Sequence, residues 1–154
     1  MKYFAVLFLL AAACSQQEKP DQAGNGTETV VNDTIPEMRE DVASSAVASY
    51  SEKVEDPLND WKFAVDVYET PATFRFLIKI KYMEVEGEDT LKVPNFGIMP
   101  KVQLKKGSED RSCIVGFLDK NGIFKEQKLV AVKNNQLKIS TLRHYARTRY
   151  KVSK

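Results

Sequence analysis

The sequence is poor in the residues that most site chemistry requires. Its 154 residues include one histidine, two cysteines and one tryptophan. A metal centre calls for clustered His, Cys, Asp or Glu at set spacings, and none appears. There is no Gly-x-Ser-x-Gly elbow and no phosphate-cradling glycine loop. A cysteine nucleophile needs a base within hydrogen-bond reach. Cys113 and His144 form the one available pair, and no local motif joins them. Cys113 lies in an apolar run and reads as a buried, inert thiol. Two cysteines, Cys14 and Cys113, are too few for a disulfide framework. Glu84, Glu86, Glu88 and Asp89 cluster around Gly87 but lack the ligand order of a calcium loop, and they read as a solvated hairpin tip. This census predicts no catalytic residue, no metal and no cofactor. An enzyme, such as a hydrolase, would have to work through acidic groups that the sequence does not bring together.

What is present is a core and a split of charge. Apolar residues make up 43% and aromatics 10%, enough for one domain plus a tail. The formal charge of +2 conceals two opposed regions. Residues 14–56 carry ten acidic and three basic side chains, a net of −7. Residues 57–154 carry eleven acidic and nineteen basic, a net of +8.

The first fourteen residues have secretory anatomy: Lys2 is positive, Tyr3 to Leu10 are apolar, and small residues lead into Cys14. The apolar run falls well short of the roughly 20 residues that span a bilayer. Leu10-Ala11-Ala12-Ala13-Cys14 resembles the lipobox of bacterial lipoproteins, with Ala11 at the place where that family prefers leucine. The resemblance implies removal of residues 1–13 and attachment of diacylglycerol and a further acyl chain (palmitate or similar) at Cys14. A single acyl chain holds marginally, while the three chains of that family hold almost permanently. Ser15 stands where some Gram-negative lipoproteins carry an Asp that retains them at the inner membrane, so the resemblance implies a cell-envelope protein anchored at the outer membrane. A plain signal peptide cut at an Ala-x-Ala site is the competing reading.

Residues 14–56 read as an acidic, flexible tether. Ser15 to about Asn32 is too polar to order itself. Residues 36–50 carry marks of a short helix: Pro36 at a first position, Glu37, Glu40 and Asp41 near the positive end, and Met38, Val42 and Ala46 every fourth residue. That stripe is thin, and a weak helix or none is the reading it favours over a partner-binding helix. Asp33-Thr34-Ile35 and Asp89-Thr90-Leu91 resemble the O-glycosylation sites of exported proteins in one Gram-negative group. Thr34 falls in the tether and Thr90 beside an expected turn.

From Pro57 the period becomes two. Trp61, Phe63, Val65 and Val67 alternate with Lys62, Ala64, Asp66 and Tyr68. Phe74, Phe76, Ile78, Ile80 and Tyr82 alternate with Arg75, Leu77, Lys79 and Lys81. Such alternation marks strands with one face in a core. Val102 and Leu104, then Cys113 to Leu118, then Ile123 to Lys133, then Leu137 to Thr141 mark further strands. Thr148, Tyr150 and Val152 suggest a last one. Asn121-Gly122 and Asn134-Asn135 are turn signals. Seven or eight antiparallel strands over 57–154 predict an all-β domain, a β-sandwich of immunoglobulin-like architecture, with a small closed barrel as the alternative. Trp61 reads as a core or sheet-covering residue, with carbohydrate stacking as a lesser alternative.

The end of the chain is basic: Lys138, Arg143, His144, Arg147, Arg149, Lys151 and Lys154, with no acidic residue from Lys138 onward. On a strand, Arg147, Arg149 and Lys151 would share one face about 7 Å apart. Lys138, Arg143, Arg147, Arg149 and Lys151 are therefore the candidate contact for phosphate or carboxylate groups. The competing reading is a charged, solvated edge. The sequence thus predicts a non-catalytic binding or assembly module, held to the membrane through Cys14, whose partner is an envelope protein or an anionic glycan or lipid. A glycan or lipid binder with a defined cavity is the alternative, and no nucleic-acid partner is expected.

Overall fold

The computed structural model describes residues 35–146. Eight strands follow one another: β1 (Ala48–Lys53), β2 (Lys62–Glu69), β3 (Arg75–Tyr82), β4 (Val85–Lys92), β5 (Lys101–Lys106), β6 (Ser112–Leu118), β7 (Phe124–Lys133) and β8 (Gln136–Thr141). They form two antiparallel four-stranded sheets, β1-β2-β3-β4 and β5-β6-β7-β8, each in sequence order. The expected all-β sandwich is what forms. The sheets stay open, so the barrel alternative does not hold. Antibody domains pass strands between sheets in Greek keys. Here each sheet is one uninterrupted meander.

The period-two stretches explain the core. Phe63, Val65 and Val67 on β2, Phe76 and Ile78 on β3, and Cys113, Val115 and Phe117 on β6 are 0–1% exposed. Each large apolar side chain buried this way contributes about 1.5–3 kcal/mol relative to exposure. Trp61 packs half-buried against this cluster, as a covering residue. Phe96 stacks on Phe117 with centroids 6.0 Å apart, and Tyr145 meets the same ring edge-on at 5.2 Å. These two rings cover that end of the core.

The turns follow local chemistry, with one reassignment. Asn134 and Asn135 both take positive φ, 52° and 61°, between Lys133 and Gln136. This is the two-residue turn that matches strand twist. At Asn121-Gly122 only Gly122 is positive, at 74°. There the Asp119 carboxylate accepts the amides of Asn121 and Ile123, both at 2.9 Å, and Gly122 N–H donates to Asp119 C=O at 2.9 Å.

Three expectations are corrected. Residues 36–50 form no helix. Met38 is 60% and Val42 43% exposed, so the expected apolar stripe faces water. The segment is irregular, with several bends, bridges Met38 to Ala72, and enters the first sheet as β1. The folded unit therefore begins well before Pro57, and the tether stops short of Asp56. The acidic stretch around Gly87 is a strand rather than a hairpin tip: the turn is at Met83, φ 56°, and Val85–Lys92 pairs along β3. Thr90 accordingly sits inside β4, opposite Leu77. The expected strand at Thr148, Tyr150 and Val152 lies outside the described residues.

Candidate functional site

Arg39 is the buried residue of the segment before β1. Its side chain is 4% exposed and lies 3.1 Å from Glu69 Oε1 through Nε. Nη1 donates to the carbonyls of Thr70 and Ala72, both at 2.8 Å, and the guanidinium lies 4.8 Å from the Phe76 ring centroid. Backbone bonds extend the latch: Arg39 N–H to Pro71 O at 2.8 Å and Thr73 N–H to Glu37 O at 2.9 Å. Nη1 bonds both carbonyls, Nε stands at ion-pair distance from the Glu69 carboxylate without a hydrogen bond, and Nη2 is buried without a hydrogen-bond partner; a planar fork reaching two carbonyls and a carboxylate at once is work that lysine performs poorly. No periodic signal marks Arg39 in the sequence, because it sits alone among Glu37, Glu40 and Asp41.

Beside this latch a cleft of about 390 Å³ opens between the two sheets. Its lining includes Val47, Glu69, Phe76, Lys101, Val102 and Leu118. Glu69 and Phe76 thus serve both the latch and the cleft wall. One acidic and one basic side chain on an apolar floor suit a small amphipathic ligand.

At the other end of the sandwich polar groups converge on Tyr82, which is 2% exposed. Its hydroxyl donates to Asn135 Oδ1 at 2.7 Å and accepts from Arg111 Nη1 at 3.3 Å. Arg111 N–H donates to Glu52 Oε1 at 3.2 Å, and Glu52 Oε2 accepts the Tyr50 hydroxyl at 3.0 Å. Burial, and then the bond to Glu52, push the Tyr50 phenol up to about 12. The chain joins both sheets and is satisfied at each step, which marks it as structural.

The basic candidates divide. Lys138 is exposed on the outer face of β8, opposite Ala131. Arg143 lies beyond β8, and its Nε is 3.0 Å from Glu126 Oε1. The structure does not bring these two into one ladder. Arg147, Arg149 and Lys151 lie outside the described residues, as do Cys14 and Thr34. Thr90 is exposed on β4, and its amide donates to Asp89 Oδ1 at 2.7 Å.

Cys113 is 0% exposed, and burial pushes its thiol up to about 12. His144 is exposed, on the segment after β8. Among the described residues no group of three or more His, Cys, Asp or Glu converges as metal ligands. Among the same residues no helix is long and apolar enough to cross a membrane. Comparison with protein-family models, with curated proteins and with solved structures finds no match.

Proposed function

We propose that this chain is a lipid-anchored protein of the bacterial cell envelope whose β-sandwich is a non-catalytic binding or assembly module. The observation that carries the reading is the Leu10-Ala11-Ala12-Ala13-Cys14 ending, on a chain whose described residues form a β-sandwich. Support also comes from the charged side chains of the described residues. Several of them pair across neighbouring strands, as in Lys79–Glu88 and Lys81–Glu86. On this reading Cys14 anchors the protein at the outer membrane, and the partner is an envelope protein.

The test is in-cell crosslinking of the lipidated protein, with a Cys14→Ala strain as control. One envelope protein recovered in comparable amount, and lost with Cys14→Ala, supports the reading. Recovery of no protein sinks it. A second reading, a glycan or lipid binder, is favoured by the cleft between Val47, Phe76 and Lys101. It would lead if Val102→Trp, which fills the cleft, abolished retention on envelope glycans or lipids.

A further inference from the structure

The two flanks of the sandwich differ. On one, β1 and β5 approach each other. On the other the sheets are offset. β4 lies over β7, where Lys128 pairs with Asp89 and Gln127 Nε2 donates to Lys92 O at 2.9 Å. β8 is the outermost strand of its sheet on this flank.

On the inner face of β8, Leu137 packs against the core, while Ile139 is left partly uncovered by the described residues. Ile139 stands opposite Val130, and opposed residues share a face, so Ile139 points inward. Yet it is 39% exposed, while Val130 is 0%. The facing margin shows the same gap. Val85, opposite the buried Tyr82, is 53% exposed. Gly87, opposite the buried Ile80, has no atom within 4 Å of where a Cβ would stand. Among the described residues no strand covers this side of the inner layer.

Among the described residues the margin of β4 has no strand partner on its outward side. Val93 N–H donates to Phe74 O at 2.9 Å. Antiparallel pairs alternate between bonded and non-bonded, so residues 87, 89 and 91 face β3 while Glu86, Glu88, Thr90 and Lys92 turn their N–H and C=O outward. The Thr90 amide is occupied by the Asp89 carboxylate. That leaves Glu86 and Glu88 as open ladder positions, with their carboxylates on the outer face. Lys81 and Lys79 sit on the β3 side of them at 3.1 and 3.7 Å, and among the described residues no other cation pairs with them. Acidic residues on an edge repel an acidic strand and accept a basic one.

We propose that this flank, the outward edge of β4 above the inner face of β8, accepts one extended strand from a partner protein, with basic side chains alternating with apolar ones. The partner's backbone continues the β4 ladder. Its basic row meets Glu86 and Glu88, and its apolar row covers Ile139 and fills the space before Gly87. This is strand addition with side-chain pockets setting selectivity. It deepens the binding-module reading and rests on it.

The experiment uses the full chain and two fluorescent eight-residue peptides, one alternating arginine with valine, the other glutamate with valine. Anisotropy is expected to show the arginine peptide binding at least tenfold tighter. Glu86→Lys with Glu88→Lys is expected to invert that preference. Glu88→Pro removes an outward N–H and no β3 bond, which an edge strand tolerates. It is expected to abolish binding of both peptides with an unchanged melting curve. Binding undiminished by Glu88→Pro, or a preference that charge reversal leaves in place, overturns the proposal. So does binding that appears only after residues 147–154 are deleted, because the occupant is then the chain itself. An envelope partner crosslinked equally by the Glu88→Pro chain overturns this surface and leaves the module reading standing. Absence of any crosslinked partner, with peptide inversion intact, does the reverse.

Discussion

Two glycines in this fold predict opposite responses to the same substitution. Gly116 lies on β6 at the bulge where pairing with β7 shifts between Val115 and Gly116. A Cβ there would stand 2.2 Å from Lys125 O and 2.7 Å from two atoms of the Phe124 ring. An ordinary C···O approach is about 3.3–3.6 Å, so roughly 1 Å must open. The Phe124 ring can swing aside, at the expense of its contact with Lys105, whose Nζ lies 4.4 Å from the ring centroid. Lys125 O is backbone of β7, laddered to β6, and yields only if that ladder shifts. Overpacking costs typically about 1–3 kcal/mol, and a backbone neighbour places Gly116→Ala near about 3. At about 4–8 °C per kcal/mol for a domain near 100 residues, the melting temperature should fall by roughly 12 °C or more. Gly87→Ala is the matched control. Its site is open and its φ is not positive, so the change should be neutral, or stabilising by about 0.4–1 kcal/mol through the unfolded chain. Circular dichroism melts and urea titrations of both variants decide the matter. A Gly116→Ala protein melting within about 2 °C of the parent refutes the reasoning.

Three further outcomes are expected. Arg39→Met should release the amides of residues 37–43 to hydrogen exchange while β2 and β3 stay protected, and Arg39→Lys should restore little, since one ammonium does not reproduce the fork. The Asp119 carboxyl is held below its ordinary 3.8, first by the Ile123 amide, so it stabilises the fold above that value and the contribution is lost as pH falls through the lowered one; Asp119→Asn should flatten the acid limb of a stability-against-pH curve. In a Cys14→Ala chain Cys113 is the one thiol, and Ellman's reagent should titrate none of it at pH 8 in the folded protein and all of it in urea.

The strands legible in the sequence are those whose inner row is wholly apolar. β2 and β3 announce themselves through Phe63, Val65 and Val67 and through Phe76, Ile78, Ile80 and Tyr82. β4 does not, because its inner row reads Val85, Gly87, Asp89, Leu91, and its preceding turn uses Met83, a residue that carries no turn signal. Asp89 is tolerated facing inward because Lys128 crosses from the other sheet to meet it, a partner thirty-nine residues away that no local window contains. β1 was hidden likewise, with Ala48, Tyr50 and Glu52 on its inner row. The spaced Met38, Val42 and Ala46 suggested helix, yet the residue that docks that segment is Arg39, through carbonyl groups whose position only the folded β2–β3 corner defines. Of the candidate site, the basic residues were legible as composition. The open flank was not, since it exists through the offset of one sheet on the other.

The uninterrupted order of the strands has a consequence for how the chain finds its fold. Every ladder joins neighbours in sequence, so no pairing waits for a long loop to close, and folding speed tracks the locality of contacts. Each sheet is a self-contained stretch, about 48–92 and about 101–141, and the seam between them crosses only side chains and a few hydrogen bonds. A break in the connection at residues 93–100 would cut no ladder. Two fragments meeting there should recombine into the same sandwich, much as two halves of one protein do when their joint is packing instead of thread.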